Sequence, residues 1–235
     1  MNQKIWDLYA PVYEKAMRLD RRYYQYMYDR IPAQISGKEV LEIATGPGLL
    51  AKHVAHPTKR MVATDYSEGM IREAKKGSYP AQLTFAVADA TALPYPADSF
   101  DVVLIANALH VMPEPELALA EINRVLRTGG LLIAPNFVGH GTGILSRICS
   151  KLLRLAGIHF EHQWTESEYL HWLQTHGWDV TFSKLLPSRI PLLYTECVRS
   201  YAWTEEEMCD IMTPTNLANV CQELFSESCT EKRAH

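Results

Sequence analysis

No apolar run in the chain approaches the roughly 18 residues that a bilayer-spanning helix needs, and the first residues are polar and aromatic rather than leader-like. Neither a membrane span nor a signal peptide is expected, and the expected location is the cytoplasm. Positive charge is not in excess: 23 Lys and Arg against 27 Asp and Glu leave a net charge of −4, the wrong sign for the basic face of a nucleic-acid binder. Cysteine is sparse and unpatterned. Cys149, Cys197, Cys209, Cys221 and Cys229 are odd in number and show no CxxC or Cys/His metal spacing, so they are expected to be reduced thiols, with no metal site. There is no internal repeat and no low-complexity linker. What is present is ordinary for a globular fold: 235 residues with 47% apolar and 21% charged side chains suffice for one α/β domain with a sizeable core.

The most informative stretch is residues 38–65. Val40, Leu41 and Ile43 form a short apolar run of the kind buried in a parallel sheet. Gly46 and Gly48 then allow a sharp turn and close approach of a ligand, because no Cβ stands in the way. Leu49, Leu50, His53 and Val54 continue at helical spacing. Met61-Val62-Ala63 is a second strand, so Asp65 stands at its carboxyl end, where a carboxylate suits the hydroxyls of a ribose. The unit is a nucleotide- or nucleoside-binding βαβ. A dinucleotide site wants a third glycine and a helix N-terminus facing a pyrophosphate. Here Ala51 stands nearest the third glycine, and Glu42, just before the turn, repels phosphate and favours a cation. S-adenosylmethionine (SAM) carries a sulfonium and an ammonium and no phosphate.

The remaining strands follow in order. Leu83–Val87 is a third strand leading to Ala88-Asp89-Ala90. A proline-bearing loop, Leu93–Asp101, precedes a fourth, Val102–Ala106, which ends in Asn107-Ala108-Leu109-His110. Pro113–Glu116 opens a helix whose stripe of Leu117, Ala120, Ile122 and Val125 runs to Leu126-Arg127, with Gly129-Gly130 ending it. Leu131–Pro135 is strand five. Thr165 and Glu168 make a capping box for the next helix, and Trp178–Lys184 and Leu192–Val198 are strands six and seven, an antiparallel closing pair.

In these ordered motifs the chain resembles the class I SAM-dependent methyltransferases, in their small-molecule, UbiE-like branch, over roughly residues 5–200. The glycine turn, Asp65, Asp89 and the LxEhxRVLxxGGxhhh pattern from Leu119 carry the resemblance. It implies an α/β, doubly wound, Rossmann-like sheet of seven mostly parallel strands in the order 3-2-1-4-5-7-6. It also implies SAM as cofactor, with S-adenosylhomocysteine as product. In the family an acid at the position of Asp89 reads the adenine amino group, and a tyrosine of an N-terminal segment closes over the methionine end; Tyr13 is the first choice here and Tyr9 the second. The expected cofactor residues are Tyr13, Glu42, Ala44, Gly46, Gly48, Asp65, Tyr66, Met70, Asp89, Ala90 and Asn107. Ala44 replaces the usual first glycine of the turn and is expected to be tolerated at negative φ.

The expected organisation is a single domain with an N-terminal helical lid (1–35), a core (36–200) with a lid insertion (139–162), and a C-terminal helical extension (204–235). Ile144, Leu145, Ile148, Leu152 and Leu155 form an apolar stripe with Arg147, Lys151 and Arg154 beside it, a pattern shared by a lid helix and a helix lying on a membrane; the lid is the expectation. Tyr23, Tyr24, Tyr26 and Tyr28 suit either a helix half packed on the sheet or a substrate mouth. His110, beyond strand four, is the candidate general base, with a pKa ordinarily near neutrality. Tyr24, His110, His162 and Trp164 are the candidate acceptor-binding residues. The expected partner is a small-molecule methyl acceptor, apolar or aromatic, not nucleic acid, and the chain is expected to be a monomer or homodimer. A SAM-binding protein without transfer activity and a nicotinamide-dependent oxidoreductase remain as alternatives.

Overall fold

The computed structural model describes residues 6, 7, 10, 21–139, 161–187 and 190–200, all within a compact unit that spans residues 1–200. Tyr13, Tyr9, the apolar stripe of Ile144 to Leu155 with the basic residues beside it, and the C-terminal extension 204–235 lie outside the described residues.

Apolar runs four to six residues long become the centre of a sheet. β1 (Glu39–Ile43), β2 (Arg60–Asp65), β3 (Leu83–Val87) and β4 (Phe100–Ile105) pair in parallel, with Val40 opposite Met61 and Val102 and Ile43 opposite Thr64 and Ile105. β5 (Leu126–Ile133) pairs with β4 in parallel. β8 (Leu192–Arg199) runs antiparallel between β5 and β7 (Trp178–Leu186). Counting β6 (Asn136–Phe137), the described residues give an eight-stranded sheet ordered 3-2-1-4-5-8-6, with β7 on β8. The expected order is preserved, since β8 and β7 are the predicted strands seven and six. β6 is the continuation of β5 along β8: the pairs Ile133–Glu196 and Asn136–Leu193 belong to one register, and Pro135, which has no N–H to give, interrupts the ladder between them.

One helix boundary departs from expectation. α4 (Pro115–Val125) ends at Val125, and Leu126 already pairs with Phe100 as the first residue of β5. Gly129 and Gly130 do not stop the helix; they sit in a bulge where the register jumps from Leu126 to Leu131, and Gly129 takes φ 72°.

Helices cover both faces. α1 (Arg21–Ile35), α2 (Leu49–Val54) and α3 (Glu68–Ala74) bury Tyr23, Met27, Ile31, Leu50, Val54 and Ile71 with Val40, Met61 and Val102 on one face. α4 and α5 (Glu166–Thr175) bury Ile122, Val125, Tyr169 and Leu173 with Leu41, Val103 and Leu132 on the other. Tyr23 and Met27 follow helical spacing inward, so the tyrosine-rich helix is half packed on the sheet. The predicted capping box opens α5, the Thr165 hydroxyl accepting from Glu168 N and the Glu168 carboxylate accepting from Thr165 N. No helix among the described residues is long and apolar enough to cross a membrane.

α1 is pinned to the sheet by charge as well as by packing. The Arg30 guanidinium donates Nε and Nη2 to both oxygens of the buried Glu196 carboxylate at 2.7 Å, lies 3.7 Å over the Phe182 ring, and shares Glu196 with the Tyr194 hydroxyl. Removing one partner strands the other charge. Chemical denaturation of Arg30→Met is expected to show a loss of about 3 kcal/mol, most of it recovered when Glu196→Gln is added.

Candidate active site at the carboxyl edge

The turns that leave β1, β2, β3 and β4 meet at the carboxyl edge of the sheet, where the chain winds one way after β1 and the other after β4. Together they enclose a cavity of about 230 Å³.

The turn after β1 is the most contorted. Ala44 (φ 55°), Gly46 (φ 58°) and Gly48 (φ 77°) all take left-handed backbone. This corrects the expected negative φ at Ala44, where a Cβ costs about 1–2 kcal/mol. The turn is over-determined by its partners: Thr45 N donates to Thr64 O at 2.8 Å and Gly46 N to Asp65 Oδ2 at 2.8 Å. Ala44 and Gly46 border the cavity; Gly48 does not. A Cβ on Gly48 would stand 2.8 Å from the Phe85 ring and 3.2 Å from Ala74 Cβ, so Gly48 serves the packing of α2 on the sheet.

Asp65 gathers two turns. Its Oδ2 accepts from Gly46 N and its Oδ1 from Ser67 N, both at 2.8 Å, and each oxygen keeps a lone pair for a ligand. Glu42 is buried at the end of β1, with the Thr45 hydroxyl donating to Oε2 at 2.8 Å. Burial pushes its carboxyl up to about 8, and the Asp65 charge adds to the effect. Asp89, after β3, uses Oδ1 to accept from Thr91 N and Oγ1, holding its own loop. Tyr66, Met70 and Ala90 also border the cavity. Asn107, after β4, takes φ 56° with its N–H on Pro135 O, and its Oδ1 is buried at the cavity without a hydrogen-bond partner among the described residues.

The expected acceptor residues are not brought together. Tyr24, from α1, borders the cavity. His110 does not: it is buried on a one-turn 3₁₀ segment, Leu109–Val111, with Nδ1 2.8 Å from Asn136 Oδ1 and its ring edge-on to Phe137. Burial lowers its pKa to about 4, against the Asn136 hydrogen bond that raises it, so the ring is a neutral structural group and a weak base. The apolar side chains around it explain the difference, which no spacing in the sequence announced. His162 and Trp164 stack 4.9 Å apart in a separate shallow groove with Trp172, so they are not part of this cavity. Trp6 also borders the cavity, a residue that no motif or spacing in the sequence singles out. Val111, Met112 and Pro113 complete the apolar side, with Glu114 at the rim. No Lys, Arg or His borders the cavity among the described residues, against four carboxylates: Glu42, Asp65, Asp89 and Glu114. No cluster of His, Cys, Asp and Glu among them could hold a metal ion.

Residues 41–134, the segment that builds the cavity, match the family described as a methyltransferase domain. The chain is 35% identical over 138 residues to the demethylmenaquinone methyltransferase of Renibacterium salmoninarum, covering 57% of each chain. It is 35% identical over 121 residues to the ubiquinone/menaquinone biosynthesis C-methyltransferase UbiE of Geobacter sulfurreducens, covering 48% of this chain and 47% of that one. The matches thus span about half the length of these curated relatives. Among solved structures, a chain of the complex between the Haloferax volcanii Trm112 methyltransferase activator and its methyltransferase shares the fold, with TM-score 0.69 at 21% identity over 83% of this chain and 98% of that one. Through this segment the chain is similar to the class I SAM-dependent methyltransferases.

Glu42 gives the site a measurable pH signature. Its folded pKa of about 8 exceeds the ordinary glutamate value. Its contribution to stability is therefore full below about pH 4.3 and is lost as pH rises through about 8, at up to about 1.4 kcal/mol per pH unit. Glu42→Gln is expected to remove that slope, so thermal denaturation without ligand should find the variant more stable than wild type at pH 8 and similar at pH 5.

Proposed function

We propose that the chain transfers the methyl group of SAM to a small apolar or aromatic acceptor. The observation that carries this reading is the charge of the cavity, which four carboxylates and no basic side chain border among the described residues. Such a lining disfavours a pyrophosphate and suits a nucleoside bearing a sulfonium and an ammonium. The donor set fits part by part. Asp65 offers a lone pair on each oxygen to the ribose hydroxyls, and Asp89, whose Oδ1 is taken up by its own loop, has Oδ2 for the adenine amino group. The buried, unpaired Asn107 Oδ1 is an acceptor for an ammonium or for a donor on the acceptor molecule. Glu42, protonated near pH 7 in the ligand-free fold, would ionise against the arriving cation and supply a negative charge beside the glycine turn.

Bound SAM would supply an electrophilic methyl for in-line displacement. The chain's own part is placement and exclusion of water, which contribute up to about 7–11 kcal/mol to such reactions. Trp6, Tyr24, Val111 and Met112 give the apolar walls that support a ring-bearing acceptor. The relatives named for demethylmenaquinone and for quinone C-methylation support the same acceptor class. Because no histidine, lysine or cysteine borders the cavity among the described residues, the reading favours an acceptor already nucleophilic on arrival, such as an ionised hydroxy-aromatic ring.

The test is thermal unfolding followed by transfer from methyl-labelled SAM to a panel of hydroxy-aromatic compounds. SAM or S-adenosylhomocysteine at about 100 times its dissociation constant is expected to add about 2.7 kcal/mol of stability, and Asp65→Ala to abolish the shift. Label is expected in a hydroxy-aromatic acceptor; binding with no label in any acceptor would favour a non-catalytic SAM-binding protein.

A further inference from the structure

Among the described residues near the start of the chain, Asp7 is tied to the ligand-binding edge. Asp7 Oδ1 accepts from Ser67 Oγ at 2.5 Å and from Gly69 N at 2.8 Å, in the first turn of α3. Those two bonds hold its carboxyl below the ordinary aspartate range, the Ser67 bond most. Ser67 is the hub: its Oγ also accepts from Met70 N, and its N–H donates to Asp65 Oδ1. A chain of hydrogen bonds therefore runs from Asp7 through Ser67 and Asp65 to Gly46. The approach is possible only because residue 69 lacks a side chain. A Cβ there would lie 2.8 Å from Asp7 Cα and 2.9 Å from Asp7 Oδ1. Gly69 itself does not have positive φ, so the backbone does not demand glycine; the contact does. The neighbour of Asp7, Trp6, borders the cavity.

We propose that Asp7 is a positioning residue that latches its own stretch of backbone onto α3, that Gly69 is the seat of the latch, and that the adjoining Trp6 is thereby held as a wall of the cavity beside bound ligand. The ligand is taken as SAM, which rests on the function proposed above. The latch then sets how long the cofactor stays, because Trp6 keeps its place in the cavity wall only while Asp7 holds its seat. Both hydrogen bonds fall on a single oxygen, so a neutral carboxamide can serve in place of the carboxylate.

The experiment compares Asp7→Ala, Asp7→Asn, Gly69→Ala and the Asp7→Ala/Gly69→Ala pair with wild type, each labelled with 5-fluorotryptophan. The Trp6 resonance is assigned by Trp6→Phe. Asp7→Ala and Gly69→Ala are expected to shift the Trp6 resonance and to speed SAM dissociation about tenfold. Asp7→Asn should restore both readouts, and the double variant should be no worse than either single one. Alanine for a helical glycine ordinarily strengthens the helix, so Gly69→Ala should not lower the unfolding temperature of the ligand-free chain merely by loss of helix. An unmoved Trp6 resonance in both single variants would overturn the latch, as would unchanged dissociation with SAM bound. If wild type binds no SAM, the cofactor reading fails, and the Trp6 resonance alone still decides the latch.

Discussion

Asp65 holds two turns with one carboxylate. Its oxygens collect the N–H of Gly46 from the turn after β1 and the N–H of Ser67 from the turn after β2. Both turns belong to parallel strands whose register is set deep in the core, so the carboxylate bridges two rigid supports rather than two loops. The left-handed backbone at Ala44, Gly46 and Gly48 persists because this bridge and the Thr45–Thr64 bond leave the turn no relaxed alternative. The cavity, the seat of Asp7 and the mouth bordered by Trp6 are all built outward from that bridge.

The second constraint is electrostatic. Burying Glu42 beside Asp65 is costly even with the Thr45 hydroxyl and the Ala51 N–H as donors, and the carboxyl answers by holding its proton to about pH 8. A cation arriving at the site reverses that balance by favouring the ionised form. Stability given up in the ligand-free fold is thus regained as affinity for a positively charged ligand, while anionic cofactors gain nothing from the same groups. His110 shows the complementary case: an ionisable group behind the cavity wall, kept neutral by burial and tied to Asn136, whose part is to hold the 3₁₀ segment against β6.

The sheet and the turns at its carboxyl edge were legible in the sequence because their signals are local. Apolar runs with a carboxylate at the strand end, glycines at a turn, and a Thr-x-x-Glu capping box each specify backbone within a few residues, and Asp65 and Asp89 stand at the strand ends where those signals put them. The misplacements came where tertiary contacts decide. Ala44 adopts positive φ because Asp65, 21 positions away, holds the turn's next residues. Gly48 faces Phe85 rather than ligand, a fact of helix–sheet packing. His162 and Trp164 lie near His110 through the bond of His162 N to His110 O, yet open on a different groove. Trp6 enters the cavity through Asp7, a contact across 60 residues that leaves no periodic trace.

The most direct measurement is binding calorimetry of SAM near pH 7 in two buffers of different ionisation enthalpy, with NAD(H) titrated in parallel. A cavity that selects a cation by ionising Glu42 predicts that SAM binds with net release of a proton, that Glu42→Gln abolishes the release, and that NAD(H) does not bind. Proton-neutral SAM binding, or tight binding of NAD(H), would contradict the account.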